Sequence, residues 1–153
     1  MINKAIKKID VYSDYLVWLV AVTGLFGSLY FSEVEKLAPC SLCWWQRVLL
    51  YPFVAIYAVA ILRKDKISAA YYGLPLSIIG MIIAFYQSLL QWGILKESTL
   101  TCSATSPVSC GDVQFEWLGF ITIPFMSFLA FSFITIMLGL RIYLIKKSTS
   151  KSE

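Results

Sequence analysis

The chain has 153 residues, 59% of them hydrophobic and 14% charged, with 13 basic against 9 acidic side chains and no histidine. Soluble domains average about 45–50% apolar and about 25% charged residues, so this composition excludes an ordinary soluble fold, and the length leaves room for one small membrane domain. The net charge of +4 is dispersed between apolar runs, without the basic stripe and interleaved aromatics of a nucleic-acid surface, so no nucleic-acid partner is expected.

Four apolar runs follow one another, at residues 15–31, 44–62, 71–95 and 117–140. Each can cross a hydrocarbon core of about 30 Å at 1.5 Å per helical residue, the longer two with tilt. They predict an all-α membrane protein, a four-transmembrane-helix bundle occupying residues 1–145, with a polar cytoplasmic tail at 146–153. Pro52, Pro75 and Pro124 are expected within the first two turns of their helices, where few intrahelical donors are lost.

The first run lies behind Lys4, Lys7 and Lys8, so a cleaved secretory signal is its alternative. The run exceeds the usual apolar signal core of about 7–15 residues, and no small-x-small site follows it. "LAPC" at 37–40 faintly resembles a lipoprotein attachment site, but Pro39 and the acidic "SEVEK" upstream argue against one.

Basic residues prefer the cytoplasmic flanks of short-loop membrane proteins. Lys4, Lys7 and Lys8 precede the first helix, Arg63, Lys64 and Lys66 fill the second loop, and Arg141, Lys146, Lys147 and Lys151 follow the fourth helix. Only Lys36, Arg47 and Lys96 fall on the other side. This distribution predicts that both termini are cytoplasmic and that the first and third loops face outside.

Cys40, Cys43, Cys102 and Cys110 all fall in or beside those two outer loops. Disulfides form and persist outside the cytoplasmic membrane, so the cysteines read as two pairs, one per loop. A bridge between Cys102 and Cys110 would restrain the unfolded loop by roughly 2–3 kcal/mol, so a structural role is a fair alternative there. Cys40 and Cys43 close too small a ring to gain much in that way, and CxxC is the recurrent spacing of dithiols that cycle between oxidation states. Zinc is a poor alternative, because the eight-residue step from Cys102 to Cys110 does not match a second ligand pair and there is no histidine. No metal is expected.

Pro39 and Trp44 place the CxxC at the start of the second helix, where unpaired N–H groups and the helix dipole favour an anion at Cys43. Arg47 follows four residues later on the same face. Its alternative is an interfacial residue whose charged head reaches back to water.

With these residues in place, "PCSLCWWQRVLLYP" resembles the signature of the DsbB/BdbC disulfide-oxidase family, in which a CxxC opens the second of four helices and an arginine follows. "WLGFITIPFMSFLAFSFI", 117–134, resembles the fourth-helix start of the BdbC branch. The resemblance runs from the first helix to the fourth and implies electron transfer from a DsbA/BdbD-like thioredoxin-fold thiol oxidase, through two disulfides, to a quinone in the membrane lipid. By position it implies that Cys102 forms the mixed disulfide with the partner, that Cys110 resolves it, and that this pair exchanges with Cys40. Cys43 is then the thiolate beside the quinone, and Arg47 the donor to a quinone oxygen.

The short Cys102–Cys110 spacing departs from the longer insertion of the well-known proteobacterial members. It resembles the Gram-positive branch, which would suit menaquinone, while the sequence itself leaves both menaquinone and ubiquinone open as acceptor. Tyr86, Gln87 and Gln91 on the third helix either face the same pocket or hydrogen-bond between helices. The vitamin K epoxide reductase family has the opposite order of cysteine pairs. A non-catalytic membrane assembly protein with two structural disulfides is the alternative from outside redox chemistry.

Overall fold

The computed structural model describes residues 2–63, 66–95, 110–111, 116–117 and 121–149. α1 runs over Ile2–Glu33, well beyond the apolar run at its N-terminal end. It stops where Lys36 takes the left-handed conformation, φ 56°, and the Leu37 N–H closes on the Phe31 carbonyl at 3.1 Å. α2 is Ser41–Arg63, starting three residues earlier than the apolar run. The reason is local. The Cys40 carbonyl accepts the Trp44 N–H at 3.1 Å while its sulfur accepts the Cys43 N–H at 3.4 Å, so Cys40 fills the N-cap position.

α3, Lys66–Gln91, begins earlier and ends earlier than its apolar run, which reached residue 95. Gly93, at φ +71°, turns the chain there, and the Ile94 N–H closes on the Leu89 carbonyl. α4, Ile123–Thr149, starts six residues later than expected, because the chain first folds back on itself in two short strands. These are β1, Glu116–Trp117, and β2, Ile121–Thr122, paired antiparallel with Glu116 opposite Thr122. The early starts of α2 and α3 also correct the placing of two prolines. Pro52 and Pro75 stand inside their helices, and only Pro124 lies in a first turn.

Sequence neighbours pack side by side and α4 returns against α1, which makes the expected four-helix membrane bundle. Phe53 and Tyr57 of α2 meet Phe131, Ile134 and Leu138 of α4 in a buried centre. Large apolar side chains such as Phe26, Leu62, Tyr72 and Ile136 point outward, as a hydrocarbon solvent permits. At Gly80 of α3 an added Cβ would lie 2.5 Å from the Phe131 ring of α4. Gly80→Ala is therefore expected to destabilise the bundle by roughly 1–3 kcal/mol. A lowered thermal midpoint in detergent checks this, with Gly139→Ala, which meets nothing within 4 Å, as the unaffected control.

The opposite end from the cysteines holds a buried ion pair between Arg141 of α4 and Asp14 of α1. Arg141 is 2% exposed. At the end of the fourth apolar run, it also joins α4 to α1. Lys146 and Lys147, further along α4, are exposed.

Candidate active site

The CxxC sits in the first turn of α2 because Pro39 and the sulfur cap of Cys40 start the helix there. Cys40 and Cys43 are free thiols with their sulfurs at hydrogen-bond distance, 3.0 Å, and Cys40 donating. The Cys40 thiol is pushed well above its ordinary range, first because its proton is held on the Cys43 sulfur and then because it is buried. Cys40 is thus the protonated member and Cys43 the acceptor.

Both sulfurs receive hydrogen bonds from α3. Gln87 Nε2 donates to Cys40 Sγ and to Cys43 Sγ, each at 3.2 Å. Gln87 Oε1 in turn accepts from Gln46 Nε2 at 2.7 Å. Both glutamines are buried. Gln87 was expected either to bridge helices or to face the pocket, and it does both. Gln91 lines the same cavity, whereas Tyr86 packs against the cysteine cluster instead. Gln46 had no role assigned from sequence. The available signal was its position in "CWWQRV", three residues after Cys43 and hence on the same face of α2.

Cys110, expected in a loop remote in sequence, is 1% exposed and packed in one buried cluster with Cys40, Leu42 and Leu90. Its sulfur lies 3.6 Å from the Ser41 hydroxyl. The structure therefore brings three of the four cysteines together at the head of α2. Cys102 lies outside the described residues.

Beside Cys43 opens a cavity of about 390 Å³ between α1, α2 and α4. Its walls are mostly apolar, among them Leu19, Leu50, Ile123 and Phe131, with Gly24 and Gly27 flattening the α1 side. Its polar lining includes Cys40, Cys43 and Cys110, Arg47 and the glutamine side chains. Arg47 donates from Nη2 to the Ser28 carbonyl of α1 at 2.9 Å and lies 5.8 Å from the centre of the Trp44 ring. Its guanidinium has five N–H donors, so the Ser28 bond leaves others for a ligand. The arrangement can accept electrons by thiol–disulfide exchange among the clustered cysteines and pass them to an apolar acceptor in the cavity that they line.

A family model for "Disulfide bond formation protein DsbB" matches residues 14–140. Among similar proteins, a "Probable disulfide formation protein" of Oceanobacillus iheyensis is 44% identical over 80% of this chain and 83% of its own. "Disulfide bond formation protein C" of Bacillus subtilis is 41% identical over 82% of this chain and 89% of its own. A "Probable disulfide formation protein" of Coxiella burnetii is 35% identical over 96% and 97%. No solved structure matches the chain. With a buried dithiol at the head of a membrane helix and relatives of this length and likeness, the chain belongs to the DsbB family and is a membrane disulfide oxidoreductase of disulfide bond formation.

Proposed function

We propose that the chain reoxidises an extracytoplasmic thioredoxin-fold thiol oxidase and passes the electrons to a membrane quinone, menaquinone or ubiquinone. The observation that carries this reading is the convergence of Cys40, Cys43, buried Cys110 and Arg47 on one apolar cavity, where a loop thiol and a lipid-soluble acceptor can both reach the CxxC. In the proposed topology both termini are cytoplasmic, and the α1–α2 and α3–α4 connections face outward. Residues 1–145 then act as one membrane unit, and 146–153 as its cytoplasmic tail.

The steps balance as two thiol–disulfide exchanges. A thiolate of the reduced partner attacks Cys102 in the Cys102–Cys110 disulfide and frees Cys110; the partner's second thiol, rather than Cys110, then resolves the mixed disulfide, because attack by Cys110 would only restore the starting pair. The Cys110 thiolate attacks Cys40 of the Cys40–Cys43 disulfide and expels Cys43 as a thiolate, and Cys102 closes on Cys110 to release Cys40. The close packing of Cys110 with Cys40 suits this attack. A thiolate at Cys43 is held by the donors of Cys40 and Gln87.

The residues around the cavity fit a quinone: apolar walls for a flat ring and tail, a guanidinium for a carbonyl oxygen, and a sulfur at the edge. Such a group, when bound, accepts two electrons and two protons. Arg47 orients it and stabilises charge developing on its oxygen, while the helix walls exclude water.

The test is turnover by the purified protein in lipid, with a reduced thioredoxin-fold partner and a soluble quinone analogue. One quinone should be reduced for each partner disulfide formed. Arg47→Ala should raise the Michaelis constant for quinone roughly tenfold, the scale of one lost charge-assisted hydrogen bond. An unchanged constant would return Arg47 to a role at the membrane interface. Partner oxidation without quinone reduction would remove the quinone from the scheme.

A further inference from the structure

The two sulfurs of the CxxC share a single donor group from another helix. A carboxamide carries two N–H donors on nitrogen and only acceptor capacity on oxygen, so which edge faces the sulfurs decides what it does there. Gln87 presents nitrogen, 3.2 Å from each sulfur. Its oxygen points away and is held by Gln46 Nε2 at 2.7 Å. Turned over, Gln87 would set its oxygen against two electron-rich sulfurs and its nitrogen against the Gln46 nitrogen, donor to donor. Gln46 therefore disfavours the wrong edge.

We propose that Gln87 is a catalytic hydrogen-bond donor that stabilises the reduced Cys40–Cys43 pair, and that Gln46 is the positioning residue that keeps Gln87 turned toward the sulfurs. A disulfide sulfur is a weak acceptor, whereas a thiolate is a strong one, so a donor shared by both sulfurs favours the two-electron-reduced state over the disulfide. Reduction breaks the Cys40–Cys43 bond. The electron pair arrives from the loop dithiol by exchange, one sulfur leaves as a thiolate, and the other, once released from the mixed disulfide, takes up a proton given up by the loop dithiol. In that state Cys43 Sγ accepts from both Cys40 and Gln87, and Cys40 Sγ accepts from Gln87 and the Cys43 N–H. Neither amide titrates, so the donors themselves are present at every pH. The pair becomes a better oxidant of Cys110, and Cys43 a persistent donor toward the cavity.

This inference rests on the reading that Cys40 and Cys43 cycle between disulfide and dithiol, but its test needs no quinone. The full chain in lipid nanodiscs is equilibrated in glutathione redox buffers, acid-quenched and alkylated. The tryptic peptide Leu37–Arg47, which holds both cysteines, is then quantified by mass spectrometry. Gln87→Met, of similar length and without donors, should raise the equilibrium constant for disulfide formation about tenfold, which is a potential about 30 mV more negative. Gln46→Met, which leaves every sulfur contact in place, should raise it about threefold. The double variant should match Gln87→Met alone, because Gln46 acts only through Gln87.

In the reduced protein, the alkylation rate of Cys43 at neutral pH should fall in the same order. A wild-type potential in Gln87→Met overturns the proposal, and full additivity in the double variant overturns the role of Gln46. A wild-type peptide that never changes oxidation state across the buffers overturns the redox reading itself, an outcome distinct from the other two.

Discussion

Cys43→Ser is expected to lower quinone-linked oxidation of a reduced protein dithiol by at least about three orders of magnitude, because a hydroxyl replaces the CxxC sulfur that accepts from Cys40 and lines the cavity. The substitution is nearly isosteric, and the Cys40 cap on the helix start stays in place, so folding should hold. Cys102→Ser makes the informative comparison. It should lose electron uptake from the protein partner yet still react with a small dithiol that reaches Cys40 and Cys43 directly. Initial rates of quinone reduction with each donor separate the two variants. Quinone reduction that persists without Cys43 would contradict the assignment. An unchanged disulfide pattern in exported proteins would favour a non-catalytic assembly protein.

The second large effect concerns stability and lies at the other end of the bundle. Asp14→Ala should cost roughly 3–5 kcal/mol, because it leaves the Arg141 guanidinium buried without its carboxylate. The pair joins α1 to α4, and both side chains are almost fully enclosed, at 4% and 2% exposure. Solvent therefore screens it little. Replacing both members, Asp14→Leu with Arg141→Leu, should recover much of the loss, since a well-packed apolar pair often equals a buried ion pair. Denaturation in mixed micelles for the two single variants and the double variant measures this. If Asp14→Ala unfolds at the same denaturant fraction as the parent, the pair contributes nothing to the fold.

The two substitutions differ in how visible their sites were beforehand. Cys43 stood out because CxxC at the start of an apolar run has a chemical meaning independent of any partner. Asp14 and Arg141 did not. Asp14 sat at the edge of the first run and Arg141 just past the fourth, and a charge at a run's edge reads as a membrane flank unless its partner is known. The helix ends show the same limit. The start of α2 moved three residues because a cysteine sulfur served as its cap, and the start of α4 moved six because Glu116–Trp117 paired with Ile121–Thr122. Neither event leaves a mark in hydropathy.

By itself the sequence determined the number of membrane helices, their order, the CxxC at the head of the second and the arginine one turn on. Hydrocarbon requires every backbone polar group to be satisfied within its own segment, so apolar length alone specifies a helix, and chemistry at short spacing is local. The tertiary structure alone decided that Gln87 serves both sulfurs across 47 and 44 residues, and that Gln46 orients it across 41. It alone set Cys110 beside Ser41 across 69 residues, and closed Asp14 on Arg141 across 127. Those contacts depend on how each helix is rotated about its axis and which neighbour it meets. That is settled by the packing of close-approach points such as Gly80 against Phe131, and no single segment carries it.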